Sequence, residues 1–216
     1  MKRKYRIFCD FDGTVALNDV GNIVFTKFGN AEHWWKLVEE WRQGKFDARE
    51  MWRRQAKISS MNSEDLKKFA KTQKLDPFFS SFVDFCRDHD LPMYIVSDGM
   101  DAYIKPILER HGFSDLDVRS NRLSFNGGNR LKVDFPYYEL GCGSCANCKG
   151  YHVKRETKTD EVSVYIGDGY SDICGAVEAD IIFAKKDLLT VCREKSIDCI
   201  PYQTFQDIIR FFRQNL

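Results

Sequence analysis

The chain has 216 residues, 43% of them hydrophobic, and 33 Lys and Arg against 32 Asp and Glu, a formal net charge of +1. That length suits one core with a small insertion. The balanced charge excludes an overall field that would hold nucleic acid or an anionic membrane, so any anion must be bound by local chemistry.

Residues 5–9 (YRIFC) form a short apolar-rich run that ends at Asp10 and Asp12, which predicts a buried strand stopping at a loop. The basic start MKRKYRIF is followed by too short an apolar stretch for a signal peptide. No apolar run approaches the roughly 18 residues of a membrane span. A soluble cytoplasmic protein, monomer or homodimer, is expected. From residue 20 to 74 helical periodicity continues with no strand: Asp47 and Glu50 read as a capping box, Ser63 as a helix start, and AEHWWKLVEEW sets aromatics at helical spacing. This predicts a helical cap over 20–74 inserted into a core made of 1–19 and 75–216.

Strands are predicted at 91–96 (LPMYIV), 162–166 (VSVYI) and 181–184 (IIFA), alternating with helices over 78–89, 102–111, 171–178, 188–195 and 205–212. The alternation predicts an α/β fold, a Rossmann-like parallel sheet with helices on its faces. Residues 117–150 interrupt it with a hairpin turned at Asn126-Gly127-Gly128-Asn129 and a cysteine-rich loop.

Open sheets of this kind form their binding crevice at the carboxyl ends of the strands, and four features fall there. Asp10-Phe11-Asp12-Gly13-Thr14 follows the first strand. A carboxylate such as Asp10 can attack phosphorus and divide hydrolysis into two steps, while a second carboxyl, Asp12, gives and then takes a proton. Ser97-Asp98-Gly99 follows the second strand, where a hydroxyl and successive N–H groups can cradle phosphate oxygens. Gly167-Asp168-Gly169-Tyr170-Ser171-Asp172 offers carboxylates to a hard cation. Asp10, Asp12, Asp168 and Asp172 are the candidate Mg²⁺ residues, with Asp172 steadying a metal-bound water or a lysine. A lysine is needed to offset the remaining negative charge, and Lys149 and Lys154 are both placed for it. Each feature alone also reads as an ordinary acidic turn, strand exit or surface lysine.

In order, DFDGT, a strand ending in SDG, a lysine and GDGYSD resemble the four motifs of the haloacid dehalogenase superfamily across essentially the whole chain. The resemblance implies Asp10 as nucleophile through an aspartyl phosphate, Asp12 as acid and base with its backbone carbonyl on Mg²⁺, Ser97 on the phosphate and Asp168 as metal ligand. It also favours Lys149 over Lys154, because Cys148-Lys149-Gly150 looks like the lysine-glycine helix start of phosphoserine phosphatases. A cap between DFDGT and the Ser97 strand is similar to the phosphoserine-phosphatase-like branch, in which Asp19 takes the position of a substrate-contacting acid. Within that branch DFDGTVALND, SDGMD, GCGSCANCK and IIFAKKDLLTVCREKSIDCIPYQTF resemble the phosphatases of the methionine-salvage enol phosphate. Ser97-Asp98 with a later Cys-Lys-Gly instead resembles phosphocholine and phosphoethanolamine phosphatases. The implied function is Mg²⁺-dependent hydrolysis of a small phosphate ester: the enol phosphate, or else phosphoserine, phosphoethanolamine or phosphocholine. The alternative of another class is a catalytically silent binding module with a zinc-stabilised loop.

Two further features carry double readings. Cys142, Cys145, Cys148 and His152 have the spacing C-x2-C-x2-C-x3-H, which suits structural Zn²⁺, although three reduced cysteines can also order a tight loop. Cys9, Cys86, Cys174 and Cys192 sit in apolar or helical patterns and read as small hydrophobes. Trp34, Trp35, Trp41 and Trp52, with Arg53 and Arg54, form either a lid over the substrate or the core of the cap, and Arg53 is the candidate substrate contact. His33 and His111 read as surface or helix-end residues.

Overall fold

In the computed structural model, which describes residues 3–127 and 129–216, β1 (Lys4–Cys9) lies in the middle of the sheet. All its residues but the first are buried, because helices cover both faces, as parallel sheets require. Four helices follow: α1 (Val20–Lys27), α2 (Ala31–Arg42), α3 (Ala48–Ile58) and α4 (Ser63–Ala70). Each begins at an Asp or Asn whose side chain accepts from the backbone N–H three residues on: Asp19 from Asn22, Asn30 from His33, Asp47 from Glu50 and Asn62 from Asp65. These bonds satisfy amides that the helix itself leaves open. Only half of the expected capping box forms at Asp47, because the Glu50 carboxylate pairs with Arg54. Ser63 is the first helical residue and Asn62 its cap.

The core continues through α5 (Phe79–Asp88), β2 (Met93–Met100), α6 (Asp101–Arg110), β3 (Asp117–Phe125), β4 (Leu131–Asp134), α7 (Lys149–Glu156) and β5 (Glu161–Gly167). It ends with α8 (Ile173–Ala176), β6 (Ile181–Ala184), α9 (Lys186–Glu194), β7 (Ile200–Pro201) and α10 (Phe205–Asn215). Among the described residues the sheet has seven strands in the order β4-β3-β2-β1-β5-β6-β7, parallel except for the β3–β4 hairpin. Asn126 N donates to Arg130 O at 3.0 Å to close that hairpin; Gly128 of the predicted turn lies outside the described residues, as do Met1 and Lys2 of the basic start. No described helix is long and apolar enough to cross a membrane.

The strand order positions the site. From β1 the sheet grows outward through β2 and β3, and the chain then returns to place β5 on the other side of β1. The carboxyl end of β1 is therefore a topological switch point, where neighbouring connections diverge and leave a crevice. Cys9 pairs in register with Ile95 of β2 and Ile166 of β5, which brings Asp10, Ser97 and Asp168 to one level. Two elements differ from expectation there. β2 does not stop at Val96 but runs to Met100 with a register irregularity between those residues, so Ser97, Asp98 and Gly99 lie on a bulged strand end. The helix expected over 171–178 is a 3-10 turn, Tyr170–Asp172, followed by the short α8.

Candidate active site

Asp10 emerges directly from β1, its N–H donating to Ile166 O at 2.9 Å. Its carboxylate is buried, and Oδ1 accepts from Lys149 Nζ at 2.5 Å. Lys149 opens α7 and is fully buried; Nζ also donates to Ser171 Oγ at 3.1 Å and to Asp172 Oδ1. Burial works against the charge of this ammonium, but Asp10 and Asp172 outweigh it and hold its pKa above the ordinary lysine value. Lys154, the other lysine considered, pairs with Glu178 on the surface.

Asp12 turns towards the other side of the crevice. Its Oδ1 accepts from Gly21 N at 3.0 Å, and its Oδ2 accepts from Tyr103 Oη at 3.0 Å and Ser97 Oγ at 3.2 Å. Burial, and then the nearby Asp19, push its pKa up to about 7, which leaves it able to give or take a proton near neutrality. Ser97 Oγ in turn accepts from Gly99 N at 2.9 Å. Gly99 has to be glycine: a Cβ there would overlap Tyr103 Oη and the Asp12 carboxylate. Gly13 is required for a second reason as well, since it adopts φ 79° against the Asp168 carboxylate.

Asp168 accepts from Thr14 Oγ1 at 3.2 Å and from Lys186 Nζ at 2.8 Å, while Lys186 also donates to Gly13 O at 3.1 Å. Asp172 has no free oxygen. Oδ1 accepts from Lys149 and from Tyr165 Oη at 2.6 Å, and Oδ2 accepts from the N–H groups of Asp168 and Gly169 at 2.9 and 2.8 Å. It fixes the lysine and the 168–169 turn, and its carboxylate also gathers with those of Asp10 and Asp168, their oxygens within 4.8 Å of one another. The donor set fits Mg²⁺, a hard cation that takes one or two carboxylates and backbone carbonyls. Carboxylates outnumber ammonium groups around this cavity, a surplus of negative charge that a divalent cation would offset. Consistent with that surplus, the Asp10 and Asp168 carboxyls are both held above the usual range, by burial first and then by Asp172.

Asp98 is not aimed at the crevice floor alone. It is buried, accepts from Trp52 Nε1 at 3.2 Å and from Asn147 N at 2.8 Å, and so ties α3 to the core. A cavity of ≈ 340 Å³ lies between the two, with Asp10, Asp12, Ser97 and Asp168 beneath and Trp34, Trp35, Trp41 and Trp52 above. Trp34 and Trp52 are buried and pack with Phe25 at centroid distances of 5.2–5.6 Å. Trp35 is 52% exposed and faces the cavity. Asp19, the α1 cap, stands at the mouth. Arg53, expected at the substrate, lies on the exposed side of α3 with its guanidinium 5.6 Å from the Phe135 ring. The arginine that reaches the cavity is Arg42, which pairs with Asp187 at 3.1 Å and stacks 4.3 Å from the Tyr170 ring.

Lys186, Tyr103, Tyr165, Asn147 and Arg42 were not legible as site residues. They come from helix ends, the first turn of a helix, a strand and a loop, and no reading of their segments gave these side chains a role. A doubled lysine after the IIFA strand was the one available signal for Lys186, which takes φ 48° there. Left-handed backbone at a non-glycine residue marks a position that the surroundings dictate. The predicted zinc set is also revised: Cys142, Cys145 and Cys148 gather with Cys174, whereas His152 is buried with Nε2 2.7 Å from Asn147 Oδ1.

Residues 5–195 match the family model described as Putative Phosphatase. A 2-hydroxy-3-keto-5-methylthiopentenyl-1-phosphate phosphatase of Bacillus velezensis is 32% identical over 96% of this chain and 89% of its own. The Polyol phosphate phosphatase PYP1 of Saccharomyces cerevisiae is 30% identical over 97% and 93%. Among solved structures, a phospho-aspartyl intermediate analogue of phosphoserine phosphatase superposes with a TM-score of 0.73 over 97% of this chain and 99% of that one, at 22% identity. The sheet is thus the haloacid dehalogenase fold, and the chain belongs to the Putative Phosphatase family.

Proposed function

We propose that this chain hydrolyses the phosphomonoester of a small metabolite through a covalent aspartyl phosphate on Asp10. The observation that supports it most is the division of labour between two neighbouring carboxyls. Asp10 is held by a buried lysine, and Asp12, with a pKa pushed up to about 7, is not in contact with that lysine. Lys149 fixes Asp10 Oδ1 and leaves Oδ2 to attack phosphorus in line. As the ester P–O bond breaks, Asp12 gives its proton to the leaving oxygen, then takes one from the water that attacks the aspartyl phosphate. Ser97 and the Gly99 region position the phosphate oxygens, and Lys149 offsets their charge. Asp10, Asp168 and the Asp12 carbonyl would hold Mg²⁺, which supplies charge neutralisation and phosphate orientation. Residues 20–74 act as a cap that excludes bulk water.

The roof of tryptophans supports an ester with a largely apolar body, and the methionine-salvage enol phosphate, with its methylthio group, is the substrate we favour. Aromatic faces beside the Asp19 carboxylate also suit a quaternary or primary amine, which makes phosphocholine and phosphoethanolamine the second reading. A screen of EDTA-stripped protein with and without added Mg²⁺, against the enol phosphate, phosphoserine, both amino-alcohol phosphates and a polyol phosphate, tests both levels. Metal-dependent turnover led by the enol phosphate is expected. No turnover of any ester would reject the phosphatase reading, and a lead by another ester would reject the substrate.

A further inference from the structure

The four sulfurs of Cys142, Cys145, Cys148 and Cys174 all lie within 4.8 Å of one another. Cys145 and Cys174 are 3.6 Å apart, and Cys142 and Cys174 4.0 Å. A disulfide requires about 2.05 Å, so neither pair is bonded. Four thiolates on one zinc, at about 2.3 Å each, stand roughly 3.8 Å apart along the edges of a tetrahedron. The Cys145–Cys174 and Cys142–Cys174 separations bracket that edge. His152 is excluded by its own packing, between the Tyr137 and Tyr151 rings and against Asn147. Soft sulfur donors in this geometry select zinc over the hard cation of the active site.

We propose that Cys142, Cys145, Cys148 and Cys174 form a structural Zn²⁺ site, separate from the Asp10 cluster and independent of the phosphatase reading. Binding displaces the thiol protons to solvent. Its place in the chain gives it a purpose. Cys148 immediately precedes Lys149, and Cys174 lies two residues beyond Asp172, so the ion clamps together the two segments that carry the buried Lys149–Asp172 pair. The same loop supports the start of α3, with Ser144 O accepting from Ala48 N at 2.9 Å. Tyr138 Oη bridges Asp47 Oδ2 at 2.8 Å and Gly143 O at 3.0 Å. The metal thus positions the lysine without touching substrate.

The test is metal analysis of the full-length, tag-free, desalted protein. About one zinc per chain is expected, released when the folded wild type is titrated with a mercurial. Protein loaded with Co²⁺ should show the visible bands of tetrahedral thiolate coordination. Cys174→Ser should lower retained zinc about ten-fold or more, and folded His152→Gln should keep it. If Cys174→Ser does not fold, release from the wild type and the cobalt spectrum still decide. Asp10→Asn should retain its zinc whatever its activity, which separates this site from the catalytic one. Stoichiometric iron, a Cys145–Cys174 disulfide without metal, or zinc lost from folded His152→Gln but kept by Cys174→Ser would each overturn the proposal.

Discussion

The floor and the roof of the cavity are held by different forces. In the floor, every buried carboxylate has named donors at hydrogen-bond distance, and Asp172 alone accepts four bonds. Such groups tolerate little displacement, because a buried charge without its partner costs several kcal/mol. The roof over the cavity is built from aromatic surface, tied to the core by hydrogen bonds and ion pairs at its margins, such as Gly21 N to Asp12, Trp52 to Asp98 and Arg42 to Asp187. Apolar contact is not directional, so the roof can differ in composition while the floor keeps its geometry. On the proposed function, reaction type resides below and substrate choice above.

Substitutions should divide along that line. Asp10→Asn removes the nucleophile but preserves shape, and hydrolysis of an aryl phosphate with Mg²⁺ should fall by at least about 10³-fold with the circular dichroism spectrum unchanged. Retained turnover would place the chemistry elsewhere. Lys149→Met should lower kcat by about 10²–10³-fold. It should also destabilise the fold by about 3 kcal/mol in denaturant titrations, since Asp10 and Asp172 lose their shared buried cation. An intact kcat would show that the lysine serves only stability. Trp35→Ala, at an exposed roof position, should raise KM roughly ten-fold with kcat little changed, and leave stability within about 0.5 kcal/mol. A change confined to kcat would blur the distinction between floor and roof.

The smallest expected effect lies away from the cavity, at the Arg6–Glu161 pair, where Nε and Oε2 are 2.5 Å apart. Arg6 first, through its hydrogen bond, holds Glu161 down to about 2 against an ordinary 4.5. A carboxylate with a depressed folded-state pKa stabilises the fold above the ordinary value, and that contribution is lost as pH falls from about 4.5 to about 2. As a single ion pair at the sheet's amino-terminal end, it is expected to contribute about 1 kcal/mol. Arg6→Met should flatten this part of the stability profile, and an unchanged acid limb would show that the pair contributes nothing.

The same division explains what could be read from the residues alone. Asp10, Asp12, Ser97 and Asp168 stand within a few positions of apolar strand runs, so local pattern and the switch-point rule were enough to bring them together. The helical character of 20–74 was legible from periodicity and the Asp47 cap from its spacing to Glu50, whereas the caps Asp19, Asn30 and Asn62 were not read. Lys186, Tyr103 and Tyr165 were not, because their roles come from packing between distant segments. Cys174 was read as a small hydrophobe for the same reason: nothing near it in sequence points to the 142–148 loop. Arg53 was read as the substrate contact and Arg42 was not considered; the three-dimensional path of α2 and α3 brings Arg42 to the cavity. The extension of β2 through Ser97 depends on pairing with β3, which no local pattern encodes.

The central claim is that Asp10 receives the phosphoryl group, and trapping the acyl phosphate tests it most directly. Wild-type protein turning over an aryl phosphate with Mg²⁺ is quenched in acid, reduced with borohydride, digested and mapped by mass spectrometry. Homoserine at position 10, dependent on substrate and absent from Asp10→Asn, is the predicted result. Conversion at another carboxylate, or sustained turnover with position 10 unmodified under conditions that trap an acyl phosphate, would contradict it.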